Sequence, residues 1–148
     1  MKHSPKLILD TNIILDVLLS RADFFDASKA VLSLCEAHVI EGFITASSLT
    51  DIFYITRRAL HSTDDAYQVI GSMLNIVRIL TVTNTDVQTA FIMRARDFED
   101  CLLAVCAKSN QCEGIVTRNK DDFVFFGVPL YSPEELLSLY SSTENNDG

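Results

Sequence analysis

Acidic side chains recur along this 148-residue chain where a predicted strand ends or a predicted helix begins. Asp10 follows the apolar run 6–9 and precedes an apolar helical run. Asp51 comes soon after a second β-prone run, and Asp100 lies near the start of a later helix. Because open α/β sheets bind ligands beyond the carboxyl ends of their strands, we expect these carboxylates to meet at one edge. Such a set indicates a site for a hard divalent cation and metal-assisted hydrolysis.

The first two acidic positions also have a purely structural interpretation. Asp10 could be the N-cap of the helix that starts near Asn12. Asp51 stands three residues after Ser48, which is the spacing of a capping box, and a carboxylate in a first helical turn favours the helix dipole. Their interpretation as ligands therefore depends on the other positions.

The third position contains two aspartates with different predicted roles. Asp97 matches the N-cap of a helix, and we interpret it as structural. Asp100 would be the third helical residue, at the border of an apolar stripe, and we favour it as a ligand.

The fourth position is the polar segment 117–123, which leaves a predicted strand. Asn and Asp favour turns, so the segment could be only a turn before a helical start. Either Asn119 or Asp122 could complete the site, whereas Asp121 is expected to be solvated.

The elements that must position these residues alternate along the chain. The predicted strands are 6–10, 42–45, 78–82 and 114–117. The predicted helices are 12–20, 24–40, one from Ser47 or Ser48 to Leu60, one from Thr63 or Asp64 to 75, 85–95, 98–111 and one that begins at Ser132-Pro133. The alternation predicts an α/β fold with a central parallel sheet and helices on both faces. We expect a single domain over residues 1–141 and a flexible C-terminal tail over 142–148.

Composition limits the function classes. The formal net charge of -8 argues against a protein that grips nucleic acid through bulk positive charge, but not against a nuclease whose carboxylates surround a metal. No apolar run reaches the length of a membrane span, and no secretory signal is evident, so we expect a cytoplasmic protein. The four cysteines lack zinc-finger spacing and are expected to be reduced, and the three histidines to lie on the surface.

Taken in order, four motifs resemble the PIN-domain family of metal-dependent ribonucleases. They are Leu9-Asp10-Thr11-Asn12, the segment 44–51, the segment 97–104 and the segment 115–123. The resemblance runs from Lys6 to about Tyr140 and looks closest to the toxin subunits of VapBC-type toxin–antitoxin pairs.

The resemblance implies a three-layer α/β/α, Rossmann-like fold and cleavage of single-stranded RNA with Mg²⁺ or Mn²⁺. It also implies an antitoxin partner and a homodimer. Asp10, Asp51 and Asp100 would bind metal and act in catalysis. Asn119 would be the fourth catalytic position, with Asp122 as a possible fourth metal ligand. The supporting residues would be Thr11, Asn12 and Thr117.

Two departures from the family pattern weaken the expected metal site. The second acidic position is usually Glu and here is Asp51, which is shorter by one methylene. The fourth acidic position is Asn119, unless Asp122 substitutes for it. Activity is therefore expected to be low or to need Mn²⁺.

Two other functions remain open. The chain could be a non-catalytic PIN-like module that binds RNA or a protein partner. An aspartyl-phosphate phosphatase is ranked low, because its chemistry needs a second Asp where this chain has Asn12. Candidate phosphate contacts, with simple solvated charge as the alternative, are Arg57, Arg58, Arg118 and Lys120.

Overall fold

The computed structural model describes the backbone of residues 3–146 and the side chains of residues 3–141. Its single sheet has the strand order β3-β2-β1-β4-β5, and every neighbouring pair is parallel. The strands are β1 Lys6–Leu9, β2 Glu41–Thr45, β3 Arg78–Leu80, β4 Gly114–Val116 and β5 Leu130–Tyr131. The predicted parallel α/β sheet is confirmed. Strand β5 was not predicted, because two residues are too few to show a period.

Helices cover both faces of the sheet. They are α1 Thr11–Leu18, α2 Phe25–Glu36, α3 Ala46–Leu60, α4 Thr63–Met73, α5 Asn84–Met93, α6 Phe98–Ser109 and α7 Pro133–Asn146. Leu7 and Leu9 of β1 pack in a core with α1 to α4 and α7, whereas Ile8 between them packs in a second core with α5 and α6. Successive strand residues point to opposite faces, so one strand serves both cores. The three-layer α/β/α architecture is thereby confirmed.

Most predicted boundaries agree with the structure to within about two residues, and one helix is clearly shorter than predicted. Helix α2 ends at Glu36 and not at residue 40. His38 has a positive φ of 60°, which ends the helix and turns the chain toward β2. Helix α7 continues to Asn146, past the predicted limit of 141. Residues 147–148 lie outside the described chain, and the flexibility of 142–148 stays a prediction.

The order of the strands locates the crevice of the fold. The chain leaves β1 to form β2 and β3 on one side, and returns to form β4 and β5 on the other. The backbone amide of Asp10 donates to the carbonyl of Val116 at 2.9 Å, which joins the carboxyl ends of β1 and β4. Ligand sites of such sheets lie outside this reversal point. Asp10 and Thr117 are the residues that directly follow the two strands.

The cysteines and histidines take no part in this edge. All four cysteines are free, and burial raises the pKa of Cys35 and Cys106 to about 12, so both stay protonated at neutral pH. His3, His38 and His61 are exposed, as predicted. Over residues 3–146, no helix has the length and apolar character to cross a membrane.

Candidate metal centre at the sheet edge

Asp10 is a buried carboxylate held by the neighbouring strand. It is 8% exposed and occupies the N-cap position of α1, but its side chain makes no capping hydrogen bond. Instead, the buried hydroxyl of Thr117 donates to Asp10 Oδ2 at 2.9 Å. Burial raises the pKa of Asp10, and the hydrogen bond from Thr117 partly offsets that rise. The carboxylate is therefore held in place by Thr117 and is not used as a helix cap, so it is available to bind a ligand.

Asp100 lies in the first turn of α6, close enough to Asp10 to be affected by its charge. Its backbone amide donates to Asp97 Oδ1 at 3.0 Å, so Asp97 is the N-cap and Asp100 the third helical residue, as predicted. Burial raises the pKa of Asp100 to about 7, and nearby carboxylates add to the effect. These are Asp97, Asp10, Asp122 and Glu99. The α6 N-terminus thus brings Asp100 into the electrostatic field of Asp10.

Glu99 was not anticipated as part of this edge. Its pKa is raised by burial first, and then by the charge of Asp51 and a hydrogen-bonding contact with it. Asp97 and Asp10 contribute further. Glu99 therefore faces Asp51 across the gap between α6 and α3. The sequence concealed this role, because an acidic residue in a first helical turn is already explained by the helix dipole.

Asp51 is placed differently from the prediction. Thr45, and not Ser47 or Ser48, caps α3 by accepting a hydrogen bond from the amide of Ser48 at 3.2 Å. The helix therefore starts at Ala46, and Asp51 lies in its second turn, not its first. The strand β2 runs directly into the helix, which leaves no room for a later cap. Asp51 is exposed, and its described partner at this edge is Glu99.

At the fourth position, the structure separates the two candidates. A short 3₁₀ turn, Lys120–Asp122, brings Asp122 close enough to raise the pKa of both Asp10 and Asp100. Asn119 is exposed, and its described hydrogen bonds are made by its backbone. Its amide donates to Thr117 Oγ1 at 3.0 Å, and its carbonyl accepts from the amide of Asp122 at 3.0 Å. Asp122 therefore belongs to the carboxylate set, and Asn119 helps to hold the threonine.

The two remaining supporting residues have different surroundings. The hydroxyl of Thr11 is buried and has no hydrogen-bond partner in the described chain. Asn12 Oδ1 accepts a hydrogen bond from Arg21 at 3.0 Å. Asn12 thus joins an arginine network beside the edge, and makes no described hydrogen bond to Asp10.

We call the carboxylates at this edge the acidic cluster. Its members are Asp10, Asp51, Asp97, Glu99, Asp100 and Asp122. Beside it lies an open cavity of about 720 Å³, lined by Asp97, Asp100, Asp121 and Asp122 together with Arg96 and Phe125. Three members of the acidic cluster, Asp97, Asp100 and Asp122, line the cavity, whereas Asp10, Asp51 and Glu99 are not among its lining residues. A cation bound there would be attracted by several carboxylates at once.

The residues fit a hard divalent cation by their chemistry. Carboxylate oxygens are the ligands that Mg²⁺ and Mn²⁺ prefer. Burial raises the pKa of Asp10 and Asp100, and neighbouring carboxylates add to that rise, so a bound cation would stabilise their charged forms. Within the described residues, no three Asp, Glu, His or Cys side chains converge on one point as a ready-made ligand set. Mg²⁺ retains several waters and takes few protein carboxylates, so it can be bound by carboxylates that do not all converge on one point.

Comparisons with known proteins identify the family. The family model described as PIN domain matches residues 6–121. No curated protein matches the chain. VapBC2 from Rickettsia felis, solved bound to a DNA fragment from its promoter, is 16% identical with a TM-score of 0.68, covering 86% of this chain and 98% of that one. A toxin–antitoxin complex from Klebsiella pneumoniae is 20% identical, with a TM-score of 0.64 and coverage of 86% and 97%.

FitAcB from Neisseria gonorrhoeae is 18% identical, with a TM-score of 0.61 and coverage of 86% of this chain and 97% of that one. At such identities, the structural likeness shows the fold alone. The match of the family model, over residues 6–121, includes Asp10, Asp51, Asp100 and Asn119, and ends one residue before Asp122. This chain belongs to the PIN-domain family.

Proposed function

We propose that this protein is a Mg²⁺- or Mn²⁺-dependent endoribonuclease that cleaves single-stranded RNA, and that it is the toxin of a toxin–antitoxin pair. The observation that carries the proposal is the pairing of Asp10 and Asp100 across the sheet edge. Both carboxylates have raised pKa values, chiefly because they are buried, and the charge of Asp10 raises the pKa of Asp100 further. Membership of the PIN-domain family supports a nuclease.

In the proposed site, Asp10, Asp51 and Asp100 hold the metal, and Asp122 is the fourth ligand. The metal, when bound, activates water and neutralises charge on the phosphodiester. Hydrolysis joins the water oxygen to phosphorus and breaks the bond to the 3′-oxygen, which leaves with a proton. The products are a 5′-phosphate and a 3′-hydroxyl. Thr117 keeps Asp10 directed into the site.

The proposed partners rest on separate grounds. The K. pneumoniae structure is a toxin–antitoxin complex and the R. felis structure is VapBC2, which supports an antitoxin partner. The α3–α4 pair, whose sequence is richer in apolar residues than one face needs, leaves Tyr54 and Tyr67 largely exposed. We propose this face as the contact for the antitoxin or for a second copy in a homodimer.

Calorimetry with Mn²⁺ and Mg²⁺ tests the metal site. We expect the parent protein to bind, and Asp10→Asn and Asp100→Asn to lose binding. Asp64→Asn is the matched control, because Asp64 is an exposed first-turn aspartate of α4, away from the cluster. Binding that both site variants retain would refute the assignment.

An assay with 5′-labelled single-stranded RNA tests the reaction. We expect Mn²⁺-dependent fragments that end in a 3′-hydroxyl, and none with Asp10→Asn. The second candidate is a non-catalytic module, which the exposed position of Asp51 and the amide at Asn119 favour. That function predicts RNA or partner binding by the parent without cleavage and with poor Mn²⁺ affinity.

A further inference from the structure

We propose that Arg118 and Arg21 form a phosphate-binding site beside Asp10, and that the buried residue Asp16 positions both arginines. The inference deepens the proposed function, on which it rests for its natural ligand, a phosphate group of the RNA. The proposal is argued from the hydrogen bonds of Asp16, a residue that is not a member of the acidic cluster.

Asp16 is a completely buried carboxylate in α1, with 0% of its surface exposed. Its Oδ2 accepts hydrogen bonds from Arg118 Nε at 2.8 Å and from the Ser28 hydroxyl at 2.9 Å. Its Oδ1 accepts from Arg118 Nη2 at 3.1 Å and from Arg21 Nη1 at 3.4 Å. A buried carboxylate is costly unless it is paired in this way. Asp16 therefore determines where two guanidinium groups lie.

Arg118 is held on two sides. Asp16 binds its Nε and Nη2 as a fork, and the Phe24 ring lies against the guanidinium, with its centroid 3.7 Å from the central carbon. Its Nη1 has no hydrogen-bond partner among residues 3–141, and the side chain is 20% exposed. A guanidinium that is already fixed and keeps a free N–H binds phosphate with little loss of side-chain entropy.

Arg21 converges on the same carboxylate from the loop after α1. Its Nη1 also donates to Asn12 Oδ1 at 3.0 Å, and the side chain is 33% exposed. Two arginines that share one aspartate retain a net positive charge. Arg118 lowers the pKa of Asp10, although burial raises it overall, so the positive charge borders the acidic cluster. When RNA is bound, the phosphate group next to the one being cleaved would contact the positive charge of the two arginines.

The other candidate phosphate contacts lack this arrangement. Lys120 is paired with Glu135. Arg57 and Arg58 are exposed near the end of α3, and Arg57 stacks on the exposed Tyr54 ring. Arg118 and Arg21 are the cations that a buried acid holds in place in the described chain.

The first test is a titration of metal-free, ¹⁵N-labelled protein with inorganic phosphate, observed through the arginine Nε–H resonances. We expect the Arg118 signal to shift saturably, with assignment from Arg118→Lys. Arg78→Gln should bind phosphate as the parent does, because Arg78 is exposed in the edge strand β3 and makes no described contact with Asp16. An Arg118 signal that does not move, or moves without saturation, overturns the proposal.

The second test separates positioning from mere structural support. Asp16→Leu alone leaves Arg118 without its partner and is expected to lose stability. The double variant Asp16→Leu/Arg118→Met removes both charges, so we expect stability to recover while phosphate affinity stays lost. A double variant that regains both would show that the network only supports the fold, and would overturn the proposal.

The third test relates the site to RNA. With Mn²⁺, we expect Arg118→Gln to raise KM about tenfold while kcat changes less, as for the loss of one charge-assisted hydrogen bond. Cleavage with an unchanged KM would refute the inference and leave the proposed function standing. Phosphate binding at Arg118 in a protein that cleaves no RNA would refute the proposed function and leave the anion site standing.

Discussion

The hydroxyl of Thr117 donates a hydrogen bond to Asp10 Oδ2 at 2.9 Å and so joins two residues that lie 107 positions apart. Each residue directly follows a strand, and the two strands are neighbours in the sheet. The hydroxyl also accepts the amide of Asn119 at 3.0 Å, so one buried oxygen ties the end of β4 to the proposed metal ligand. The position of Asp10 thus depends on Thr117, which belongs to the fourth PIN-like motif, the segment 115–123.

Replacing Thr117 by Val should weaken both the fold and the metal site. The change keeps the shape but removes the hydroxyl, so we expect the free energy of unfolding to fall by about 1–2 kcal/mol. The pKa of Asp10 should rise further, since the hydroxyl lowers it, and Mn²⁺ affinity near pH 6 should fall. Urea unfolding and calorimetry measure the two effects. Thr81→Val, at an exposed threonine, is the control, and unchanged Mn²⁺ affinity in Thr117→Val would contradict the prediction.

The stability of the metal-free protein should decrease as the pH rises from about 4 to 7. Burial and neighbouring carboxylates raise the pKa of Asp100 from 3.8 to about 7 in the folded state. In that window the folded state therefore holds a proton that the unfolded state has lost, so stability is greatest below pH 4 for this group and declines through pH 7. The raised pKa values of Asp10 and Glu99 act in the same direction.

The Asp100→Asn variant checks the origin of that decrease. Urea midpoints at pH 5 and pH 8 should differ clearly in the parent and much less in the variant. The carboxyls of Glu113 and Glu135 have lowered pKa values and affect stability only at lower pH. An equal pH dependence in parent and variant would exclude Asp100 as its source.

Mn²⁺ should reverse the order of stability between the parent and Asp100→Asn. Without metal at pH 8, the variant should be more stable, because it removes a partly buried charge and relieves repulsion within the acidic cluster. With Mn²⁺ at about a hundred times its Kd, the parent should gain about 2.7 kcal/mol and the variant far less. Thermal unfolding with Mn²⁺ and with a chelator measures this crossing. Equal gains in both proteins would place the metal elsewhere.

Replacing Glu99 by Gln should reduce Mn²⁺ affinity several-fold without reducing stability. Glu99 faces Asp51, and each charge opposes the other until a cation compensates them. The metal-free variant should therefore be at least as stable as the parent above pH 6. Glu134→Gln, at an exposed first-turn glutamate of α7, is the control. A loss of stability with unchanged metal affinity would show that Glu99 is only part of the helix start.

The sequence predicts the sheet edge well because its signals are local. Asp10 stands at the end of an apolar strand, and Asp97 and Asp100 have the spacing of a helix start, so each could be placed from its neighbours. The α/β alternation then requires a parallel sheet whose carboxyl ends meet. The two-residue strand β5 and the early end of α2 left no such local signal.

The residues that were missed depend on contacts between distant segments. In the sequence, Asp16 looks like an ordinary acidic residue of a helix, because its main partner, Arg118, lies 102 positions away. Asp51 was assigned to the wrong helical turn because three neighbouring hydroxyl residues, Thr45, Ser47 and Ser48, could each serve as the cap. The end of β2 determines which of the three residues caps α3, and that end depends on the pairing of β2 with β1 and β3.

The strand order determines when this edge can form during synthesis. Residues 6–80 supply β1, β2 and β3, which are neighbours in the sheet and can pair while the ribosome is still translating. The second half supplies α6, β4 and the 3₁₀ turn, and therefore Asp100, Thr117 and Asp122. Any activity that needs the complete edge can therefore begin only after residue 122 has left the exit tunnel of the ribosome.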